Sequence, residues 1–212
     1  MAIQQKLETP TPPNLGYPPE LYERQNFNES NGALNAYFRK VTSVLGALFG
    51  VKGSRYINAP YGAFQSTADQ TAAAINTAYA MTFNTTDYTN GITVVSSSRI
   101  TVTDSGIYNL QWSGQFENTA SADHDVRVWI KINGTNLVGS TGFAGIPSKH
   151  GAVDGHAIVG WNYFLSLDAN DYAELWWETD STTVSIQAYA AASNYPSTAS
   201  LIATMQFVSN TM

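Results

Sequence analysis

The sequence predicts an all-β, two-sheet sandwich preceded by an extended arm and one amphipathic helix. Three observations carry this expectation. From Tyr61 to Val208, short runs of alternating apolar and polar residues are separated by Gly, Asn, Asp and Ser clusters, with no helical period between them. Before Gly50 the apolar spacing is helical, and the first residues are rich in Pro and polar side chains with no period. The 212 residues are 43% hydrophobic and 12% aromatic, ample for a core, while only 12% are charged, about half the common share of roughly 25%. The expected divisions are an arm over 1–25, a helix and linker over 26–60 and a β head over 61–212.

The arm, Met1 to Pro19, reads as a segment that orders only against a partner. Its start, MAIQQKLETPTPPNLGYPPE, lacks the apolar stretch of a signal peptide, and nowhere are there 18 consecutive apolar residues to span a membrane. A helix is expected from Asn26 to Phe49, with Asn26 as its cap and Glu29 completing a capping box; Pro18 and Pro19 permit an earlier start. Its apolar residues Leu34, Phe38, Val41, Leu45 and Leu48 are spaced 4, 3, 4, 3, and Phe27 extends the seam one heptad back. Gly32 and Gly46 weaken an isolated helix by about 1 kcal/mol each. The stripe fits a helix packed on a globular domain, or a short self-associating or docking stem. The second is favoured, because the β region looks complete without it. Gly50, Gly53 and Asn58-Ala59-Pro60 then form a linker.

The strands follow by period. GIYNLQWSGQFEN puts Tyr108, Leu110, Trp112 and Phe116 on one face. DVRVWIKING puts Val126, Val128, Ile130 and Ile132 inward and ends in an Asn133-Gly134 turn. HAIVGWNYFLSL puts Val159, Trp161, Tyr163 and Leu165 on one face, with Ile158, Gly160, Asn162 and Phe164 on the other. YAELWWET points Ala173, Leu175 and Trp177 in and Glu174, Trp176 and Glu178 out, and SLIATMQFV is apolar at Leu201, Ala203, Met205 and Phe207. Roughly eight to ten strands are expected.

Several chemistries are disfavoured. A net charge of −6 is the wrong sign for a nucleic-acid footprint, and with no cysteine there is no disulfide, thiolate metal site or cysteine nucleophile. No G-x-S-x-G elbow, P-loop or G-x-G-x-x-G occurs. His124 between Asp123 and Asp125, and His150 and His156 around Asp154, are placed in inter-strand loops without the spacing of a known ligand motif; Asp123, Asp125 and Asp154 are the weak metal candidates. No enzyme activity and no cofactor are expected.

TVTDSGIYNLQW resembles the C1q/TNF-like jelly roll, in which a Gly-x-Tyr opens a long central strand. LSLDANDYAELWW is similar to that family's turn before its penultimate strand, with Asn170-Asp171 in place of the usual Gly-Asp, and SLIATMQFV resembles the closing strand, with Ala203 where Gly is frequent. The resemblance implies a ten-stranded jelly-roll sandwich that assembles as a homotrimer. NLGYPPELYERQNFNESNGALNAYF is similar to N-terminal segments of structural proteins of tailed bacteriophages, particularly those of cyanobacteria, in which such a stretch attaches a small β head to the particle.

The family topology sets Val126–Ile132 antiparallel beside Tyr172–Thr179. If Trp129 faces Trp176, the constant residue-number sum of an antiparallel pair also sets Arg127 opposite Glu178 and Lys131 opposite Glu174. Outward Trp129 and Trp176 fit a recognition platform or, as favoured, a cross-strand shield of the sheet. Ile158, Phe164, Ile202 and Val208 lie on the second face of core strands and are the candidate trimer contact.

The expected function is a non-enzymatic virion protein, a trimeric short fibre, knob or decoration. It would be anchored to portal, tail or capsid proteins through Tyr17, Pro18, Leu21, Tyr22, Phe27, Leu34, Phe38, Val41, Leu45 and Leu48. The loops around Asp123–Asp125 and Phe143–Asp154, the latter containing His150, are the candidate recognition surface, with a host-surface glycan as candidate ligand. Neither nucleic acid nor membrane insertion is expected. The alternative is a soluble lectin-like or receptor-binding trimer, calcium-assisted at its loops.

Overall fold

The computed structural model describes residues 10–15, 23–49 and 59–210. The chain divides into two compact units, Met1–Asn58 and Ala59–Met212. In the first, helix α1 spans Arg24–Phe49. It starts two residues before the expected cap, because Phe27 N already donates to Glu23 O at 3.1 Å. Glu29 is also used differently from a capping box: its Oε1 accepts from Gln25 Nε2 at 2.9 Å, an i, i+4 contact on the helix surface. The first turn holds no acid and the last turn no base, and the acid nearest the N-terminal end is Glu23, just ahead of the helix. Phe27, Phe38 and Leu45 are 55%, 59% and 45% exposed, whereas Leu34, Val41 and Leu48 are half-buried. Tyr17, Pro18, Leu21, Tyr22 and the linker residues 50–58 lie outside the described residues.

The second unit is all-β. Its strands are β1 (Tyr61–Ser66), β2 (Gln70–Thr71), β3 (Tyr79–Ala80), β4 (Thr85–Asn90), β5 (Ile92–Val95), β6 (Arg99–Val102) and β7 (Gly106–Asn118). There follow β8 (His124–Ile132), β9 (Thr135–Asn136), β10 (Gly142–Ile146), β11 (Gly155–Leu167), β12 (Tyr172–Thr179), β13 (Val184–Ile186) and β14 (Leu201–Ser209). Two antiparallel sheets result. In one, β11 pairs β7, and β7 continues through β14 and β1 to β4, with β13 and β2 extending the β7 side. In the other the order is β10-β8-β12-β6-β5, with β3 on β12 and β9 on β8. The count exceeds the expected eight to ten because β2, β3, β9 and β13 are pieces of two or three residues.

The alternating runs bury the faces their period dictates. Tyr108, Leu110, Trp112, Phe116, Leu165, Leu175, Trp177, Leu201 and Met205 form one core between the sheets, each at most 5% exposed. Phe116 of one sheet meets Trp177 of the other edge-on at 5.8 Å, a contact of the kind worth about 1 kcal/mol beyond its area. The Gly-x-Tyr at the start of β7 has a local cause. A Cβ at Gly106 would run into the Phe207 ring, and that ring lies edge-on to Tyr108 at 5.6 Å. Asn133 and Gly134 have φ of 50° and 80°, the pair of left-handed residues a tight hairpin turn demands. Asn170, at φ 70°, takes the left-handed position in the turn before β12, since Asn tolerates that region best after Gly.

Candidate functional site

The end of the sandwich where β7 finishes gathers the loops 119–123, 147–154, 180–183 and 187–200. Asn118, fully buried, ties three of them together. Its Nδ2 donates to Ala122 O at 2.8 Å, Pro147 O at 3.2 Å and Ile146 O at 3.3 Å; its Oδ1 accepts from Ala120 N at 2.9 Å and Thr183 Oγ1 at 3.2 Å. The loop 187–200 folds back on itself: Tyr189 and Thr198 exchange backbone hydrogen bonds of 3.0 and 2.8 Å, Ala192 N donates to Tyr195 O at 3.0 Å, and residues 190–197 are all exposed.

Several expected site residues change place. His124 and Asp125 open β8 and His156 lies in β11, so none of the three is a loop residue. Gly142–Ile146, expected as part of a long loop, is edge strand β10 paired to β8; Ile146 is buried and Phe143 sits under the Arg127 guanidinium at 5.3 Å, which secures a segment of low strand propensity. Only 147–154 is left as loop, with His150 and Val153 closing a turn on Gly151 at φ 63°.

The three candidate metal carboxylates do not converge. Asp123 Oδ1 accepts from Ser148 N at 2.7 Å, and that backbone bond holds its carboxyl below the ordinary range. Asp125 shares Asp180 with His124: Asp180 Oδ1 accepts from Asp125 N and lies against His124 Nδ1, both at 3.1 Å. Asp154 acts instead on Tyr189. Among the described residues no group of three or more His, Cys, Asp or Glu is placed to hold a metal.

The register of β8 on β12 is the expected one, with Trp129, Arg127 and Lys131 opposite Trp176, Glu178 and Glu174. Arg127 Nη1 donates to Glu178 Oε1 at 2.8 Å, and this bond raises the guanidinium pKa. The second charge pair stands opposite in the register as expected, but its side chains turn to other partners. Lys131 Nζ sits 3.5 Å above the Trp176 ring, while Glu174, 6% exposed, accepts from Ser98 Oγ at 2.7 Å and faces Arg99 Nε at 3.7 Å. One face of Trp176 is therefore covered by a cation, and Trp129 Nε1 is committed to Asn136 at 3.0 Å. The two rings serve the sheet as a shield more readily than a ligand as a platform.

The other sheet is different on its outside. Ile158 and Phe164 of β11 are 70% and 63% exposed, and Ile202 and Val208 of β14 are each 46% exposed. Between them the register sets Asn109, Gln111, Ser113 and Gln115 of β7 beside Asn162 and Gly160 of β11 and Thr204 and Gln206 of β14. Gly160 leaves a shallow dimple bordered by Gln111, Ser113, Ile158, Trp161 and Asn162. The sequences of β1, β7, β11 and β14 hold one carboxylate, Glu117, one histidine, His156, and no Lys or Arg. In contrast β6, β8 and β12 present Arg99, Arg127, Lys131, Asp125, Glu174 and Glu178 on the opposite outer face.

Sequence reading missed the group at one end of this face. Tyr189 OH donates to Glu117 Oε2 at 2.8 Å and lies 3.1 Å from His156 Nδ1. Burial first, then the Glu117 bond, pushes its phenol pKa far above the ordinary value. Glu117 and His156 could have been found once their strands were set side by side; Tyr189 could not, since it comes from an irregular loop. Among the described residues no helix is long and apolar enough to cross a membrane. No family model matches the chain, and a search of curated proteins finds no match to it.

Proposed function

We propose that this is a non-enzymatic structural protein whose β unit associates with copies of itself through the outer face of the β11-β7-β14-β1 sheet. The observation that carries the reading is the charge contrast between the two outer faces. Interface cores are depleted of charge and keep their apolar residues. On this face Ile158, Phe164, Ile202 and Val208 are exposed, and so is Tyr61 at the start of β1. Its polar residues are amides and hydroxyls, which both donate and accept and so can pair with another copy without charge repulsion.

The finer reading is a C1q/TNF-like jelly roll forming a trimer. Ten strands have four or more residues and fall into two five-stranded paths, β11-β7-β14-β1-β4 and β10-β8-β12-β6-β5. The antiparallel β8–β12 pairing also fits that topology. The N-terminal segment is read as a virion anchor and stem. Helix α1, with two interior glycines, no base in its last turn and Phe38 and Leu45 exposed, is poorly equipped to stand alone and gains most from a partner. The whole protein is then a short fibre, knob or decoration of a tailed phage particle, with the loop end around Asn118 projecting.

Sedimentation equilibrium of the full chain tests the assembly, with three times the 23.0 kDa chain mass expected at micromolar concentration. A stable monomer there overturns it. Labelling of intact particles with an antibody to the β unit tests the location; particles that never bind it overturn the virion role.

A further inference from the structure

One end of the proposed contact face carries a cluster of ionisable groups, while at the far edge of the sheet Asp87 of β4 accepts from Gln65 of β1 at 2.7 Å. His156 and Glu117 are directly opposite each other at one end, and Tyr189 bridges them. His156 Nδ1 stands 4.0 Å from the Glu117 oxygen that accepts the tyrosine proton. Asp154 and Asp69 add negative charge to the same corner. Among the described residues no Lys or Arg pairs with Glu117. With a neutral imidazole this corner is negative. With an imidazolium the His156–Glu117 pair is neutral.

We propose that Glu117, Tyr189 and His156 form a proton-operated latch on self-association through this face, an inference that rests on the face being the contact between copies. Each copy of the proposed trimer brings the same charge at this corner into the assembly. Unneutralised carboxylates on neighbouring copies repel within a screening length of about 8–10 Å, and burying a lone carboxylate costs more than burying a paired one. A proton on His156 lowers both penalties, so association takes up protons. It therefore strengthens on acidification from about pH 8 to about pH 5.5. Asp154 and Asp69 make the high-pH corner more negative and so deepen the effect. Tyr189 does not titrate in this window and stays a donor to Glu117.

The chain has no cysteine, so one introduced thiol reports one place. Thr204→Cys puts it on the face, and Thr93→Cys, outward on β5 of the other sheet, is the reference. In the full chain, the ratio of their reaction rates with a pyridyl disulfide cancels the pH dependence of the thiol itself. Protection of the Thr204→Cys thiol is expected to rise about tenfold or more between about pH 8 and about pH 5.5. Adding Glu117→Gln should raise protection at about pH 8 and shrink the pH dependence to the part left by Asp154 and Asp69, and adding His156→Ala should give the alkaline level at both pH values. Strong, equal protection at both pH values without those changes overturns the latch and leaves the contact face standing. An undiminished pH dependence in the Glu117→Gln background also overturns the latch. A Thr204→Cys thiol as reactive as the reference in every background overturns the contact face and the latch together.

Discussion

Asn118 does more for the loop end than its neighbours in sequence suggest. Five hydrogen bonds from one buried amide replace the water that the turns around 120, 147 and 183 would otherwise need. Asn118→Ala strands several backbone groups at once, and a loss of about 2–4 kcal/mol is expected in denaturant unfolding, with the cooperative transition retained. Tyr189 behaves differently. Its folded pKa is raised, so its stabilising contribution is complete below the ordinary phenol pKa of about 10 and is lost as pH rises through the folded value. The tyrosinate absorbance of the intact protein should therefore lack one late-titrating group in Tyr189→Phe. Neither residue was legible in the sequence. A chain this rich in Asn offers no way to single out one amide before the loops are closed around it, and Tyr189 reaches its partners only through the fold of 187–200.

At the level of elements, period was the strongest guide. The inward faces of β7, β8, β11, β12 and β14 follow from alternation because each has a buried side that fixes its register. The β8–β12 register followed from charge and aromatic pairing, although Lys131 prefers the Trp176 ring to the Glu174 carboxylate. Strand β10 was illegible because GFAGI has weak strand propensity and is held by its neighbour, not by its own preference. The entry to β11 is tighter than any pattern indicates. A Cβ on Gly155 would collide with the Pro147 carbonyl, a backbone atom that cannot step aside. Gly155→Ala should cost more than about 2 kcal/mol in thermal or denaturant unfolding, whereas Gly151→Ala at the exposed turn meets nothing within 4 Å and should cost less, through its positive φ alone.

For the whole molecule, the decisive property is that its two outer faces differ in kind. This was partly legible: Ile158, Phe164, Ile202 and Val208 stood out as surplus apolar residues, but the lack of charge around them emerges only when four strands distant in sequence are set side by side. Phe164→Asp places a charge on the neutral face, at its β11 edge, and is expected to lower the sedimenting mass of the full chain at micromolar concentration. Val95→Asp, at a comparably exposed aliphatic site on the opposite sheet, should leave the mass unchanged.

The hairpin closed by Tyr189 and Thr198 has a practical corollary. Its eight residues from Ala190 to Ser197 touch water throughout, and the clasp at its base fixes both ends of the loop. Lengthening a loop with fixed ends costs only about 0.6 kcal/mol per doubling. A foreign peptide spliced between Ser193 and Asn194 would thus ride on the sandwich without disturbing it, making this tip a natural place to write new specificity onto an unchanged carrier.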